Sequence, residues 1–391
     1  MPSGYSTIER RMLPGIAILL GAIGLVFIYS ASSYAADLEY GDAFFYVKKQ
    51  AIALAFGIVT MFGASMIPPG AIKKFRYVIL ILSLVLLGLV FIPGLGVESY
   101  GATRWLNLGI TTIQPSEISK FGLMLFLSSY MTDRQPVSIK NMIVPILSGG
   151  AICLLIMAEP NMSVTVCVGA CLLSVLFVAG SKKRWFFLLI VLVLIAIPVL
   201  ILAEPYRIKR IIAFIDPWEN PLGEGYQLIQ SYYAIGHGGL FGVGLFASRQ
   251  KYLFLPFSES DFIFSVVVEE TGLVGGAVLL LIFLAFVVCG FRIAMNASTR
   301  FESLTAFSVT IVVAMQTVLN VAVVTGSIPP TGLPLPFISA GGTSLVSFFF
   351  ATGLLYGVAK RSDRSLLRKK PVRLFGLRAS RRNQKAIPTI V

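Results

Sequence analysis

The sequence is poor in charge, and it has one histidine and four cysteines in 391 residues. Only 13% of its residues are charged, where soluble domains carry roughly 25%. No pair of Cys or His residues has the spacing of zinc ligands, which argues against a structural zinc site. The shortage of charge argues equally against an ordinary soluble enzyme.

The sequence is rich in long apolar runs. Hydrophobic residues make up 56% of the chain, and the mean hydropathy is +0.85. A helix needs about 20 apolar residues to cross a bilayer, and ten runs approach that length. We therefore predict an all-α polytopic membrane protein with about ten transmembrane helices. The predicted spans are 13–31, 47–66, 77–96, 115–131, 141–158, 162–180, 185–203, 262–290, 303–325 and 340–359.

Lys and Arg fall mainly in alternate connecting segments, which predicts the orientation. Placing the N-terminus inside collects most of the 32 basic residues on the cytoplasmic side, as the positive-inside rule expects. We predict a cytoplasmic N-terminus at 1–12, one transmembrane domain at 13–360 and a basic cytoplasmic tail at 361–391. The net charge of +14 then reflects topology and a tail against anionic lipids, and no nucleic-acid partner is expected.

Under this topology the longest polar segment, 204–261, is an extracytoplasmic loop before the eighth span. Its residues 207–215 place isoleucines at helical spacing and Arg207 and Arg210 on another face. This pattern is typical of an interfacial amphipathic helix. The arginines would bind either a phosphate group bidentately or bulk lipid headgroups. The loop ends at Asp261, which would either cap the next helix or act chemically at the membrane surface.

A second polar segment runs from 101 to 120. Lys120 lies about one turn inside the fourth predicted span, where a charge is costly unless it is paired or faces a wet cavity. Two interpretations are open. In one, Glu117 and Lys120 form a pair that only snorkels; in the other, Arg104 and Lys120 line a cavity that binds an anionic lipid head.

Three further features bear on the site. The adjacent Glu269 and Glu270 lie inside a predicted span, so at least one must face the protein interior. The segment 325–344 holds four prolines and predicts a rigid re-entrant or lid-like loop, which must be buried or line a cavity. The turn at Glu159, Pro160 and Asn161 needs only local turn preferences to explain it.

Several long segments, taken together and in order, resemble one family. They are GATRWLNLG with IQPSEISK, FIDPWENPLGEGYQLIQSYYAIGHGGLFGVGL, SRQKYLFLP with SDFIFSVVVEETGLVG, and VVTGSIPPTGLPLPFISAGGTS. Over residues 13–360 the chain is similar to the SEDS proteins of shape, elongation, division and sporulation. It resembles the FtsW and SpoVE types more than the RodA type.

The resemblance implies a peptidoglycan glycosyltransferase that polymerises lipid II at the outer face of the cytoplasmic membrane. It implies Asp261 as the catalytic residue and Arg104, Trp105 and Lys120 as substrate-binding residues. It also implies a class B penicillin-binding protein, a transpeptidase, as partner. A lipid II flippase and a non-catalytic cell-wall scaffold are the alternatives, although no internal repeat supports a transporter.

The chemistry of glycan extension agrees with this assignment. A carboxylate can remove the proton of the attacking sugar hydroxyl as general base, and a pyrophosphate leaving group needs cations but no acid. No cofactor is firmly implied, although a divalent cation, Mg²⁺ or Mn²⁺, is compatible with the reaction. The cations expected to share the leaving-group charge are Arg104, Lys120, Arg207 and Arg210.

The sequence departs from the family pattern in several places, and two of them bear on the site. Glu259 stands where the family often has His, and Asn161 stands where it usually has Asp. We expect Glu259 to add a second carboxylate to the substrate-binding site, which also includes Glu117. Whether the chain serves division, elongation or sporulation is left open.

Overall fold

The computed structural model describes residues 5–99, 102–109, 111–202, 205–330 and 332–366. Within these ranges the chain forms thirteen helices and three short strands. The helices are α1 (Tyr5–Tyr40), α2 (Phe45–Ala64), α3 (Pro69–Lys74), α4 (Arg76–Leu89), α5 (Pro115–Asp133), α6 (Ile139–Ala158), α7 (Met162–Val178), α8 (Lys183–Leu202), α9 (Pro205–Ile215), α10 (Tyr226–Gly238), α11 (Ile263–Met295), α12 (Arg300–Val324) and α13 (Gly342–Leu366).

Each predicted span overlaps one of these helices, so the all-α polytopic class is confirmed. Within the described ranges six helices, α1, α2, α6, α11, α12 and α13, are long and apolar enough to cross a membrane. Helices α4 and α7 are apolar but shorter. The count of ten crossings therefore stays a prediction. Most of the predicted tail lies outside the described residues, and α13 continues to Leu366, past the predicted end at 359.

Helix α5 occupies the centre of the bundle. It packs against α4, α6, α7, α12 and α13, and nearly all its residues are buried, polar ones included. This explains how its sequence can carry serines, Glu117 and Lys120 inside the bundle. A central helix touches protein on all sides, so its polar groups can be satisfied by other helices.

Turns replace the end of the third predicted span, and a small β-sheet follows them. Helix α4 ends at Leu89, and the chain turns through Gly94, whose φ is +86°. It then forms the antiparallel strands β1 (Gly96–Ser99), β2 (Ala102–Asn107) and β3 (Thr112–Ile113). The predicted boundary at 96 was wrong because the apolar residues between Leu89 and β1 form turns and do not extend the helix. The sheet carries Arg104 and Trp105 at fixed positions on β2.

The segment 204–261 contains two helices. Helix α9 covers the residues predicted as amphipathic, and its Ile212 and Ile215 are exposed. Helix α10 packs against α11, which has a kink at Gly272, where φ is +71°. The chain between α10 and α11 is made of turns that end at Phe262.

Helices α2 and α13 approach closely at Gly353. A Cβ added there would lie 2.1 Å from the Met61 carbonyl oxygen, so Gly353→Ala would force the helices apart. We expect it to lower the unfolding free energy by about 1–3 kcal/mol, measured by thermal unfolding in detergent. Gly150 of α6 has open space around its Cβ position. The control Gly150→Ala should be neutral or stabilising, and equal losses would contradict the prediction.

Candidate active site

Asp261 lies in a turn two residues before α11, and it does not cap that helix. The N-cap position belongs to Phe262, and no side-chain cap is present there. The capping alternative is therefore wrong. The carboxylate instead lies over the proline-rich loop, because a Cβ added at Gly332 would be 2.9 Å from Asp261 Oδ2.

The proline-rich loop 326–341 is fixed against residues 259–261. Ser339 Oγ donates to the Ser260 carbonyl at 2.6 Å, and Ala340 N donates to the Glu259 carbonyl at 2.9 Å. Leu335 and Phe337 of this loop are buried. The predicted non-helical loop is thus present and buried, as such backbone requires in a membrane protein.

The surroundings of Asp261 favour its neutral form. Burial is the largest cause and the nearby Glu259 carboxylate the second, while Arg104 and Arg210 oppose them; the pKa of Asp261 is raised to about 6. Burial also raises the pKa of Glu259. A carboxylate with a pKa near 6 is ionised at neutral pH yet basic enough to accept a proton from a reacting group.

Two predicted cations are brought to this carboxylate. Arg104 on β2 donates to the carbonyls of Glu159 at 3.1 Å and Pro160 at 2.5 Å, which ties the sheet to the α6–α7 turn. Arg210 on α9 donates to the Pro330 carbonyl at 3.0 Å. Both arginines lower the pKa of Asp261. Arg207 lies one turn earlier on α9 and is partly exposed.

Lys120 and Glu117 lie deeper, inside the bundle. Lys120 Nζ is 2.9 Å from both Glu117 carboxylate oxygens and 2.6 Å from Gln316 Oε1. The predicted pair is present, but its side chains are 1% and 0% exposed, so it does not snorkel. Neither Lys120 nor Arg104 is among the residues that line the cavity described next. An ammonium has three protons, and three acceptors surround this one.

A cavity of about 1330 Å³ reaches the site from the side of α2. It follows α2 from Tyr46 to Thr60 and is lined mainly by apolar residues of α2, α4, α5 and α13. Near Asp261 its wall includes Trp105, Glu259 and Ser260. Fourteen residues of helix rise about 21 Å, so the cavity extends over much of a membrane's thickness.

Glu159 is a buried residue that the sequence patterns assigned only to a turn. It is 0% exposed, and neither carboxylate oxygen has a hydrogen-bond partner among the described residues. Burial raises its pKa to about 8, against the opposing charge of Arg104. Asn161 accepts from Val164 N at 3.4 Å as the N-cap of α7. Turn preferences therefore account for Asn161 but not for a buried carboxyl group.

Gln316 and Asn320 belong to the site although the sequence patterns had not indicated them. Asn320 Nδ2 donates to the Asp261 carbonyl at 2.8 Å, and Gln316 contacts Lys120. Amides four residues apart share one helix face, and polar groups inside an apolar span are costly unless they are paired. That spacing was the feature of the sequence that could have identified these two residues.

The adjacent carboxylates of α11 are both buried, which agrees with the prediction that at least one would face the interior. Glu269 accepts from Ser248 Oγ at 2.5 Å and Arg249 N at 3.1 Å. Glu270 accepts from Ser30 Oγ and from Ser248 N, the latter at 3.2 Å. The pair holds the turn segment that leads toward Asp261.

Comparison with known proteins gives consistent matches along the chain. A family model for FtsW, RodA and SpoVE, described as cell cycle protein, matches residues 10–364. Stage V sporulation protein E of Bacillus subtilis is 40% identical over 89% of this chain and 96% of its own length. A probable peptidoglycan glycosyltransferase FtsW of Geobacter metallireducens is 37% identical over 88% of this chain and 93% of its own.

Solved structures share the same fold. One match, with a TM-score of 0.74 and 28% identity, comes from a structure of a peptidoglycan synthase complex. That structure concerns the structural coordination of polymerization and crosslinking by the complex. The match covers 89% of this chain and 97% of the other chain. The rod shape determining protein RodA of Thermus thermophilus matches with a TM-score of 0.64 and 25% identity, covering 88% and 96%.

Removing Lys120 should leave an uncompensated buried charge on Glu117. We expect Lys120→Met to lower the unfolding free energy by about 3–5 kcal/mol, measured by thermal unfolding in detergent. The double variant Lys120→Met with Glu117→Leu removes both charges and should recover most of the loss. Equal instability of the single and double variants would refute the buried pair.

Glu159 should make stability depend on pH. Its pKa is raised from 4.5 to about 8, so its contribution is complete below 4.5 and is lost as the pH rises through 8. Glu159→Gln cannot ionise. From pH 5 to 9 the melting temperature of the wild type should therefore fall relative to that of this variant. The melting temperature of the exposed control Glu219→Gln should change with pH as that of the wild type does. If the melting temperatures of the wild type and Glu159→Gln differ by the same amount at every pH, the raised pKa of Glu159 is excluded.

Proposed function

The chain belongs to the FtsW/RodA/SpoVE family of cell cycle proteins, and we propose that it is a peptidoglycan glycosyltransferase that polymerises lipid II. One observation carries the proposal: Asp261, with a pKa raised to about 6, lies in the field of two arginines beside the end of a long apolar cavity. A lipid-linked sugar pyrophosphate needs those three elements. They are a base, cations and a channel for a lipid chain.

The proposed topology is the one predicted from the sequence. Ten helices cross the cytoplasmic membrane with both termini inside, and Asp261 then lies at the outer face. Six long apolar helices and two shorter ones support this arrangement, as does the placement of basic residues. Helix α5 crosses as a buried central helix, in which Glu117 and Gln316 surround the Lys120 ammonium.

The proposed reaction begins with proton transfer to Asp261. The carboxylate accepts the proton of the acceptor sugar's hydroxyl while that oxygen attacks the anomeric carbon of the donor. The bond between the anomeric carbon and the pyrophosphate oxygen breaks, and its electron pair leaves with the lipid pyrophosphate. No acid is needed, because pyrophosphate is a stable anion; cations that offset its charge lower the barrier.

The proposed cations are Arg104, Arg210 and, one turn away, Arg207. Each guanidinium can hold a phosphate group through two parallel hydrogen bonds. Lys120 is assigned a different part, since its ammonium is surrounded by Glu117 and Gln316 inside the bundle. It supports the site from within and does not contact the pyrophosphate.

The cavity gives the proposed substrate a binding site. Its apolar walls along α2, α4, α5 and α13 suit a lipid chain, and Trp105 and Glu259 at its polar end suit the head group. Its volume of about 1330 Å³ exceeds the roughly 300–1,000 Å³ of ordinary small-molecule sites. A long lipid-linked substrate explains the size.

A transpeptidase partner and a divalent cation belong to the same proposal. A structural relative is part of a peptidoglycan synthase complex that couples polymerization to crosslinking. Within the described ranges no group of three or more His, Cys, Asp or Glu side chains could hold a metal ion. Mg²⁺ or Mn²⁺ often uses only one or two carboxylates together with substrate phosphates. The cation would neutralise pyrophosphate charge, while Asp261 keeps its role as the base.

Purified protein with labelled lipid II tests the function. The wild type should form glycan chains, and Asp261→Asn, which keeps the shape but loses the base, should lower the rate by a factor of about 10² to 10⁴. The control is Asp216→Asn, a matched change at an exposed turn residue, which should keep the rate. Wild-type activity should rise as the pH increases through about 6.

The same assay distinguishes the alternatives. Transfer of labelled lipid II between leaflets without polymer would support the flippase, which the length of the cavity favours. If the protein shows neither activity, the non-catalytic scaffold remains as the explanation. Near-normal polymerisation by Asp261→Asn would refute the assignment of the base.

A further inference from the structure

Two buried amides on α12 face the non-helical backbone of the site. Gln316 is 0% exposed and Asn320 1%, and their spacing of four residues places them on one helix face. A buried amide costs free energy unless its hydrogen bonds are made. Both amides donate to carbonyls of chain segments that carry or cover Asp261.

Asn320 joins the two segments directly. Its Nδ2 donates to the Asp261 carbonyl at 2.8 Å and to the Leu333 carbonyl at 2.6 Å. An amide nitrogen has two protons, so both are committed. Because one nitrogen bridges the two carbonyls, it fixes the distance between the turn that carries Asp261 and the proline-rich loop.

Gln316 extends this connection toward α5. Its Nε2 donates to the Pro334 carbonyl at 2.8 Å, and its Oε1 accepts from Lys120 Nζ at 2.6 Å. Lys120 is held in turn by both oxygens of Glu117. The buried ion pair thus orients the Gln316 amide, and the amide orients the loop.

The far end of the loop is fixed independently. Gln50 Nε2 donates to the Ser339 carbonyl, and Gly341 N donates to Gln50 Oε1, both at 3.1 Å. Ser339 also donates to the Ser260 carbonyl. The loop therefore cannot shift at 332–334 without straining its attachment at 339–341.

The position of the loop determines the surroundings of the Asp261 side chain. Gly332 adopts a φ of +71°, and Asp261 Oδ2 lies 2.9 Å from the position of an added Cβ there. The loop backbone is thus one wall of the site. If the loop moves, water enters beside the carboxylate and its direction changes.

We infer that Asn320, supported by Gln316 and Lys120, is a positioning residue that sets the direction of the Asp261 carboxylate and keeps it covered by the proline-rich loop. This inference rests on the proposed function of Asp261. It also gives the buried Lys120 a role that requires no contact with substrate.

The test is Asn320→Ala, assayed for polymerisation of labelled lipid II over a range of substrate concentration and pH. A displacement of about 1 Å at a reacting group can lower a rate by about a hundredfold. We expect kcat to fall by roughly tenfold to a hundredfold, with KM within about twofold of the wild type. The acid limb of the pH profile should move to lower pH, because a more hydrated carboxylate is easier to ionise.

A purely structural loss would behave differently. It would reduce the amount of folded enzyme and leave the acid limb of the pH profile in place. Melting temperature and gel filtration report the folded fraction of each variant, so the rate can be expressed per folded molecule.

The matched control is Thr317→Val, which removes a buried hydroxyl group three residues before Asn320 on the same helix. Thr317 Oγ1 donates to the Val313 carbonyl of its own helix, at 2.8 Å, and this bond does not involve the proline-rich loop. Thr317→Val should therefore keep the wild-type kcat and pH profile.

Asn320→Asp provides a second measurement if Asn320→Ala does not fold. It keeps the shape of the side chain but replaces the donating nitrogen with an oxygen that faces two carbonyls. We expect the same loss of kcat at neutral pH. A wild-type kcat and pH limb in either folded variant would overturn the inference, and so would a rise in KM alone.

The outcome also separates this inference from the proposed function. If Asp261→Asn is inactive and Asn320→Ala behaves like the wild type, only the positioning role fails. If Asp261→Asn polymerises normally, the base assignment fails first, whatever Asn320 does.

Discussion

The structure depends on one constraint: polar groups within a lipid-embedded bundle must find their partners inside the protein. Helix α5 meets this constraint with the Glu117–Lys120 pair and with Gln316 of α12. These contacts bring the polar groups of α5 and α12 together at the centre of the bundle. The polar interior is therefore a connected network, and through Asn320 it reaches the segment that carries Asp261.

The site is assembled largely through backbone carbonyls that accept from side chains. Arg104 holds the α6–α7 turn, Arg210 holds the proline-rich loop, and Asn320 joins that loop to Asp261. Such carbonyls are available only where the chain is not helical. The prolines and turns that interrupt the helices are thus what lets four separate parts of the chain meet at one carboxylate.

Sequence patterns predicted the class of fold, the amphipathic α9 and the buried proline-rich loop, because apolar length and helical spacing are local properties. They did not predict the end of α4 or the sheet after it, because the apolar residues between Leu89 and β1 continue the hydrophobic run of α4. They also missed the burial of Glu159 and the contacts of Asn320, which depend on helices distant in the chain. Lys120 shows the limit of sequence patterns most clearly. The free-energy cost of a charge inside a span was evident, but its partner Gln316 lies 196 positions away in the chain.

The cavity along α2 has a consequence for how the enzyme meets its substrate. Its lining includes residues of α2 and α4 such as Ile52 and Leu82, which are also exposed on the lipid-facing surface. The lipid-linked donor that we propose can then arrive by lateral diffusion in the leaflet, without passing through water. The rate of encounter is consequently governed by a surface density, the mole fraction of substrate among the lipids. Dilution with inert lipid therefore slows the reaction even when the bulk concentration of substrate is unchanged.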